Sequence, residues 1–320
     1  MSQAGVQPLS ELLDEVESLA PLPHVATRVI QVGEDERFSA YDLASIIATD
    51  TAMTAKILRL ANSAYYGFPR RVSTVRDAVV LIGFRAVRAT AIAAAVVDLF
   101  DKDGDPRFHG DLVWAHSVAC ASVAEAIAKR SGQVRPDEAF SAGILHDLGR
   151  MVLSQYARAP FAQALDRAMS TATPLEDIER AVFGYDHAEV GAGLAQRWAF
   201  PTEVSDAIAQ HHDLQALSPL TSVLARANQF CRDTGLWCGL DTDDGQRAFG
   251  PWGEDGTPGV TPQPDPQIAL IVQQELDGLP GLEARVRHFL SNSGNADQRW
   301  YTGRDQPADL DPSDAREAVA

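Results

Sequence analysis

Ala139–Leu153 reads AFSAGILHDLGRMVL, an apolar run interrupted by one polar pair, His146–Asp147. Phe140, Ile144, Leu145, Leu148, Met151 and Val152 return at the three- and four-residue spacing of one helix face, which predicts a buried helix through the stretch. An imidazole and a carboxylate inside such a helix lose their hydration. Burial is then costly unless something satisfies them, and a metal ion is one such partner. Adjacent helical residues point about 100° apart, yet both side chains rotate enough to bracket an ion between them. Gly149 weakens the helix directly after the pair. An isolated His-Asp also fits a surface ion pair or a capped helix end, so the reading depends on what the rest of the chain supplies.

Outward from this stretch the helical period continues in both directions. N-terminal to it the expected helices are Leu9–Leu19, His24–Val32, Tyr41–Ala48 behind the N-cap Ser39, Met53–Asn62 behind Asp50 or Thr51, Val75–Ile82 behind Thr74, and Arg85–Leu99 after a break at Gly83. Asp50, Asn62 and Ser63 read as cap and turn residues, with a recognition surface as the alternative. Further along come Leu112–Arg130, Pro136–Tyr156, Pro160–Met169, Pro174–Phe183, His187–Trp198, Pro201–His212 and Leu220–Cys231, several with proline in the first turn. No period-two strand stands out; Val79–Ile82 comes nearest and continues a helix. The fold class is therefore all-α, a bundle of antiparallel helices joined by short turns.

The charged, turn-rich segment FDKDGDPRFHGD at 100–111 divides the bundle. Residues 1–105 form one helical half and 106–235 the other. A loop dense in Gly, Pro and Asp is expected at 236–266, further helices broken at Gly278–Gly281 over 267–292, and an acidic tail without fixed structure over 293–320.

Charge narrows the function. Lys and Arg total 27 and Asp and Glu 44, a net charge of −17. Non-specific nucleic-acid binding rests on neutralising phosphates with basic groups, so nucleic acid is an unfavourable partner. Cys120, Cys231 and Cys238 are odd in number and form no C-x-x-C, which argues against a disulfide framework or a thiolate zinc site. The first twenty residues have neither a basic start nor an apolar core, and the apolar run around Ala91–Val97 is far short of the roughly 20 residues a span requires. The expectation is a cytoplasmic protein with no membrane partner.

The histidines supply the company that His146–Asp147 needs. His116 lies in WAHSVACASVAEAIAKRSG, His187 in FGYDHAEVGAGLA, and His211 and His212 in AIAQHHD, each in or at the edge of a helical pattern. His24 and His109 read as solvent-exposed. The order of the cluster resembles the HD superfamily of metal-dependent phosphohydrolases, and HHD with His187 resembles the larger ligand set of its HD-GYP branch. Leu22-Pro23, LASIIATD, ILRLANSAYYG and VSTVRDAVVLIGF, in that order, resemble the HDOD family of bacterial regulatory domains. This resemblance covers roughly Leu19–Asp213, with Thr51 where the family usually has proline.

The resemblance implies an HDOD helical half packed on an HD-like half. It places His116, His146, Asp147, His187, His211 and His212 on metal-ligand positions. It makes Asp147 and Arg150 the candidates for chemistry, with Arg150 where HD-GYP enzymes carry a phosphate-gripping lysine. Imidazole and carboxylate ligands suit iron, manganese, nickel or zinc. Two departures weigh against hydrolysis. Asn228 stands where the superfamily closes its site with an aspartate, Asp213 and Asp206 being the available substitutes, and Leu112 stands where HD-GYP enzymes carry glutamate. One ion is therefore expected rather than two. His212, adjacent to His211, can point outward. The resemblance implies a signal-transduction module acting through a protein partner or a bound nucleotide, with a degenerate metal site. The alternative is a phosphohydrolase acting on a nucleotide or cyclic dinucleotide.

Overall fold

Helix starts in this chain are set by side chains that satisfy the first free backbone N–H groups. In the computed structural model, which describes residues 7–19, 24–32, 39–62, 66, 68–100, 108, 110–171, 173–234 and 264–290, Ser39 and Asp42 form a reciprocal capping box. Asp50 Oδ1 accepts from Met53 N at 2.9 Å, Thr74 caps through Asp77 N at 3.1 Å, and Asp186 and Glu189 form a second box. The helices are α1 (Leu9–Leu19), α2 (His24–Val32), α3 (Ala40–Ile47), α4 (Thr51–Ala61), α5 (Val75–Ile82), α6 (Phe84–Phe100), α7 (Gly110–Ser131), α8 (Pro136–Leu145), α9 (Leu148–Tyr156), α10 (Arg158–Thr171), α11 (Leu175–Phe183), α12 (His187–Arg197), α13 (Thr202–Ala209), α14 (Pro219–Asp233), α15 (Pro266–Glu275) and α16 (Gly278–Leu290). The fold is all-α, with no strand among the described residues.

Three expected boundaries move. The helix foreseen through Ala139–Leu153 breaks at His146–Asp147, which form a turn between α8 and α9. The helix foreseen to His212 stops at Ala209, leaving His211 and His212 in a turn. The break foreseen at Gly278–Gly281 falls at Leu276–Asp277, where Asp277 adopts φ 56°, and the glycines open α16 instead. His24 is exposed as expected. His109, Ser63, the loop at 236–263 and the tail from 291 lie outside the described residues.

The alanine-rich α6 sits among its neighbours, packing on α2, α3, α4 and α5 on one hand and on α8 and α9 on the other. Ala86, Ala89, Ala91, Ala93, Ala94 and Ala95 are all at most 1% exposed, and their small side chains let several helices approach one axis. Arg88 on the same helix donates to Val29 O, Ile30 O and Trp198 O at 3.3, 3.1 and 2.8 Å and lies over the Phe200 ring, tying the end of α2 to the end of α12. α7 is enclosed by α8, α14, α15 and α16. Asn62 staples the end of α4 to the segment leading into α5, bonding Leu58 O and both backbone groups of Val72, the structural role its turn position predicts. No single helix among the described residues is long and apolar enough to cross a membrane; the pair α5 and the start of α6 passes only together, bent by 119°.

Candidate metal centre

Two glycine crossings bring the polar residues together. A Cβ on Gly143 of α8 would sit 2.4 Å from Ala121 Cα of α7, and one on Gly149 of α9 would sit 1.9 Å from the His187 carbonyl oxygen of α12. Only hydrogen fits at either place. The first contact sets His146 beside His116, and the second sets Asp147 beside His187. Because α8 ends at Leu145, Asp147 occupies the N-cap position of α9 without capping it, so its carboxylate is free to face the cluster.

Asp147 is the hub. His116 Nε2 and His146 Nε2 lie 3.8 and 3.5 Å from Oδ2. His187 Nε2 and His211 Nε2 lie 3.4 and 3.6 Å from Oδ1. Arg150 Nη1 approaches Oδ2 at 3.1 Å, a charge contact rather than an aligned hydrogen bond, since neither Asp147 oxygen has a hydrogen-bond partner. His212 Nε2 is 3.0 Å from His187 Nε2. All six residues that the resemblance placed at ligand positions therefore converge. They fall into two trios, His116–His146–Asp147 and His187–His211–His212, with ligand atoms in each within 4.8 Å of one another.

The expectation that His212 can point outward is corrected. His211 and His212 lie beyond the helix end, where the 100° rotation per residue no longer separates neighbours, and their ring centroids are 3.9 Å apart. Asp206 and Asp213, the substitutes considered for Asn228, are both exposed, and Asp213 Oδ1 accepts from Gln215 N. Asn228 itself is buried on α14 with Oδ1 3.0 Å from His116 Nε2.

The other ring nitrogens show how the site is held. His146 Nδ1 is 2.7 Å from Gly143 O, and His211 Nδ1 is 2.7 Å from Ile208 O. A carbonyl only accepts, so both rings carry their proton on Nδ1 and turn the Nε2 lone pair inward. Both Nε2 atoms are buried without a hydrogen-bond partner. His187 Nδ1 is 2.5 Å from Glu179 Oε2, the carboxylate–histidine pairing that orients metal-bound imidazoles. Buried lone pairs and a carboxylate with unsatisfied oxygens, all aimed at one place, fit a cation; divalent metal binding is what this donor set suggests.

Sequence reading missed Glu179, Glu176 and Arg232. Glu179 shares a helix face with Leu175 and Phe183, all three at most 5% exposed, so a carboxylate on an apolar stripe was the available signal. Glu176 Oε1 lies 3.4 Å from His212 Nδ1 and 3.5 Å from Arg232 Nη1.

Protonation follows burial and partner. Burial pushes the Asp147 carboxyl up, but the Arg150 charge and the imidazoles overcome it and hold it well below the ordinary range. Burial lowers His146 to about 4. Burial also opposes charge on His187, but Glu179 reverses this and raises it to about 9. For the metal-free protein the two act on opposite sides of the ordinary value of 6.5. Below it, an unfolded chain takes a proton that folded His146 refuses, so stability falls as pH drops towards about 4. Above it, the stabilisation from charged His187, complete below 6.5, is lost as pH rises through about 9. Metal-free protein should be most resistant to urea near the middle of this window, and a profile flat across it would contradict the assignment.

An all-helical bundle enclosing a histidine cluster around a His-Asp pair defines an HD-type protein. The HDOD domain pattern matches residues 19–214, and the chain belongs to the HDOD domain family. Among solved structures it resembles an HDOD domain protein of unknown function from Geobacter sulfurreducens, with a TM-score of 0.65 and 26% identity over 88% of this chain and 97% of that one. It resembles equally a protein of Shewanella amazonensis named provisionally as a phosphohydrolase, with a TM-score of 0.64 and 25% identity over 87% and 97%. Among curated proteins, an uncharacterised protein of Treponema pallidum is 25% identical over 228 residues, 70% of this chain and 44% of its own length. Ribonuclease Y of Thermus thermophilus is 33% identical over 121 residues, 37% of this chain and 16% of its own. The chain thus spans less than half the length of these curated relatives.

Proposed function

We propose that this chain is a bacterial HDOD regulatory module in signal transduction, acting through a protein partner or a bound nucleotide, whose HD-like centre holds a divalent transition metal without hydrolysing phosphate esters. The observation that carries it is enclosure with altered closure. His146, Asp147, His187 and His211 are 0% exposed, so a phosphate ester has no direct approach to them. Asn228 engages the nitrogen of His116 that an ion would use, and Arg150 already faces Asp147 Oδ2 with positive charge.

The same contacts favour one ion over two. His187, His211, His212 and Asp147 Oδ1 would hold it, His146 standing beside them, while the trio containing His116 is occupied by Asn228 and Arg150. Iron, manganese, nickel and zinc all suit such ligands. An ion there would supply Lewis-acid charge to a phosphate oxygen. The residues themselves hold protons in place: Glu179 keeps His187 Nδ1 protonated, and the carbonyls of Gly143 and Ile208 do the same for His146 and His211. The net charge of −17 disfavours RNA as a ligand despite the ribonuclease Y similarity.

Two adjacent ligand trios, with Asp147 in one and in contact with the other, favour a second reading, a phosphohydrolase acting on a nucleotide or cyclic dinucleotide with Asp147 and Arg150 at the reacting phosphate. Metal analysis of the purified full chain and an assay with bis(p-nitrophenyl) phosphate separate them. The regulatory reading expects bound metal and no turnover. Turnover that disappears in both His146→Ala and Asp147→Ala establishes the hydrolase and overturns it; protein that takes up no metal overturns the metal centre.

A further inference from the structure

Exposure in the cluster is confined to one edge. The inner residues, His116, Asp147 and Asn228 among them, are at most 3% exposed. At the edge, the side chains of His212, Glu176 and Arg232 keep 14%, 11% and 17% of their surface in solvent. Arg232 belongs to the last turn of α14, beyond the stretch that matches the HDOD pattern.

We propose that this edge is an anion port, in which Arg232 with His212 beside it binds a phosphate group and Glu176 is the resident counter-ion that the phosphate displaces. The proposal deepens the reading of the histidine cluster as the ligand-bearing centre, but it requires no bound metal.

Three observations carry it. Arg232 uses a single nitrogen: Nη1 lies 3.5 Å from Glu176 Oε1 and 3.3 Å from His212 Nδ1, and among the described residues no hydrogen bond uses Nε or Nη2. A guanidinium grips phosphate with two parallel N–H groups, and that fork is left open here. Second, Glu176 is a poorly held counter-ion. Its contacts to Arg232 and His212 both exceed 3.3 Å, and Oε2 is buried with no hydrogen-bond partner. Exchanging it for a phosphate that engages the whole fork replaces one long contact with two short, charge-assisted ones. Third, the neighbouring carboxylates are committed elsewhere: Asp147 faces Arg150, Glu179 holds His187, and Asp233 accepts from Gln229. The ligand class is a phosphate group, either inorganic phosphate or the terminal group of a nucleotide.

The test is isothermal titration of the full chain, treated with chelator, with inorganic phosphate and separately with adenosine 5′-monophosphate. Arg232→Gln should weaken phosphate binding by at least ~10-fold, the scale of a lost charge-assisted pair. Glu176→Gln should tighten it by about the same factor, since the competing charge is removed while the shape stays. Arg232→Lys, which keeps the charge without the fork, should recover only part of the loss, and it serves if Arg232→Gln fails to fold. Nucleotide binding tighter than phosphate makes a nucleotide the source of the anion; equal binding makes the phosphate group alone the recognised unit. Wild-type affinity in Arg232→Gln, no gain in Glu176→Gln, or no phosphate binding by wild type at millimolar concentration overturns the port. Metal uptake measured on the same samples keeps the two ideas apart. Phosphate bound through Arg232 in protein that takes up no metal leaves the port and removes the metal centre, and the reverse removes the port alone.

Discussion

Gly149→Ala is expected to destabilise the protein by about 3 kcal/mol or more, the upper part of the range for forcing a methyl group into a filled core, and to lower the thermal midpoint by roughly 5–10 °C. The new Cβ would lie 1.9 Å from the carbonyl oxygen of His187 and 2.9 Å from Gly191 N. Both are backbone atoms, so no side chain can rotate aside, and α9 and α12 must part. Since Asp147 opens α9 and His187 opens α12, the same displacement pulls the hub carboxylate away from an imidazole and should lower metal uptake with stability. Gly184→Ala is the comparison: its φ is +81° with nothing within 4 Å of the added Cβ, and its cost should stay near 1 kcal/mol, the ordinary penalty for a left-handed non-glycine residue. Circular dichroism melts of the two variants decide the matter; equal midpoints would mean that the crossing is not as tight as described.

Asp147→Ala should cost about 3–5 kcal/mol in metal-free protein, because removing one partner of a buried pair strands the other charge. Arg150, 3% exposed, would lose the carboxylate that faces it, and charged His187 would lose the carboxylate 3.4 Å from its Nε2. Metal uptake should fall as well, since Asp147 presents one oxygen to each trio. Arg150→Met gives the opposite pairing of outcomes. It should also destabilise metal-free protein, by leaving Asp147 with only the His187 charge beside it, but a divalent ion can replace the missing cation, so metal should restore its stability more than it does for wild type. Urea unfolding with and without metal reads both variants. Equal metal protection in Arg150→Met and wild type would show that Arg150 does not compete for Asp147.

The cap residues Ser39, Asp50 and Thr74 were legible because capping is local: a side chain reaches an N–H three residues on, and both belong to one short stretch. The helical period was legible for the same reason. His116, His146, Asp147, His187, His211 and His212 could be named through the resemblance, and so could the place of Asn228. Glu179 was within reach, as a carboxylate on an apolar stripe, and was passed over.

What the sequence by itself determined is the all-helical class and most of the helices, though not the break at His146–Asp147, because period and caps are written in neighbours a few positions apart. Only the tertiary structure decided that Asp147 faces inward from a helix start, that His212 joins His211, and that Glu176 meets Arg232. Each depends on where a helix ends or on contacts between residues twenty to over a hundred positions apart, and those follow from which surfaces pack closest, at Gly143 and Gly149, where backbone touches backbone and no periodicity records the contact.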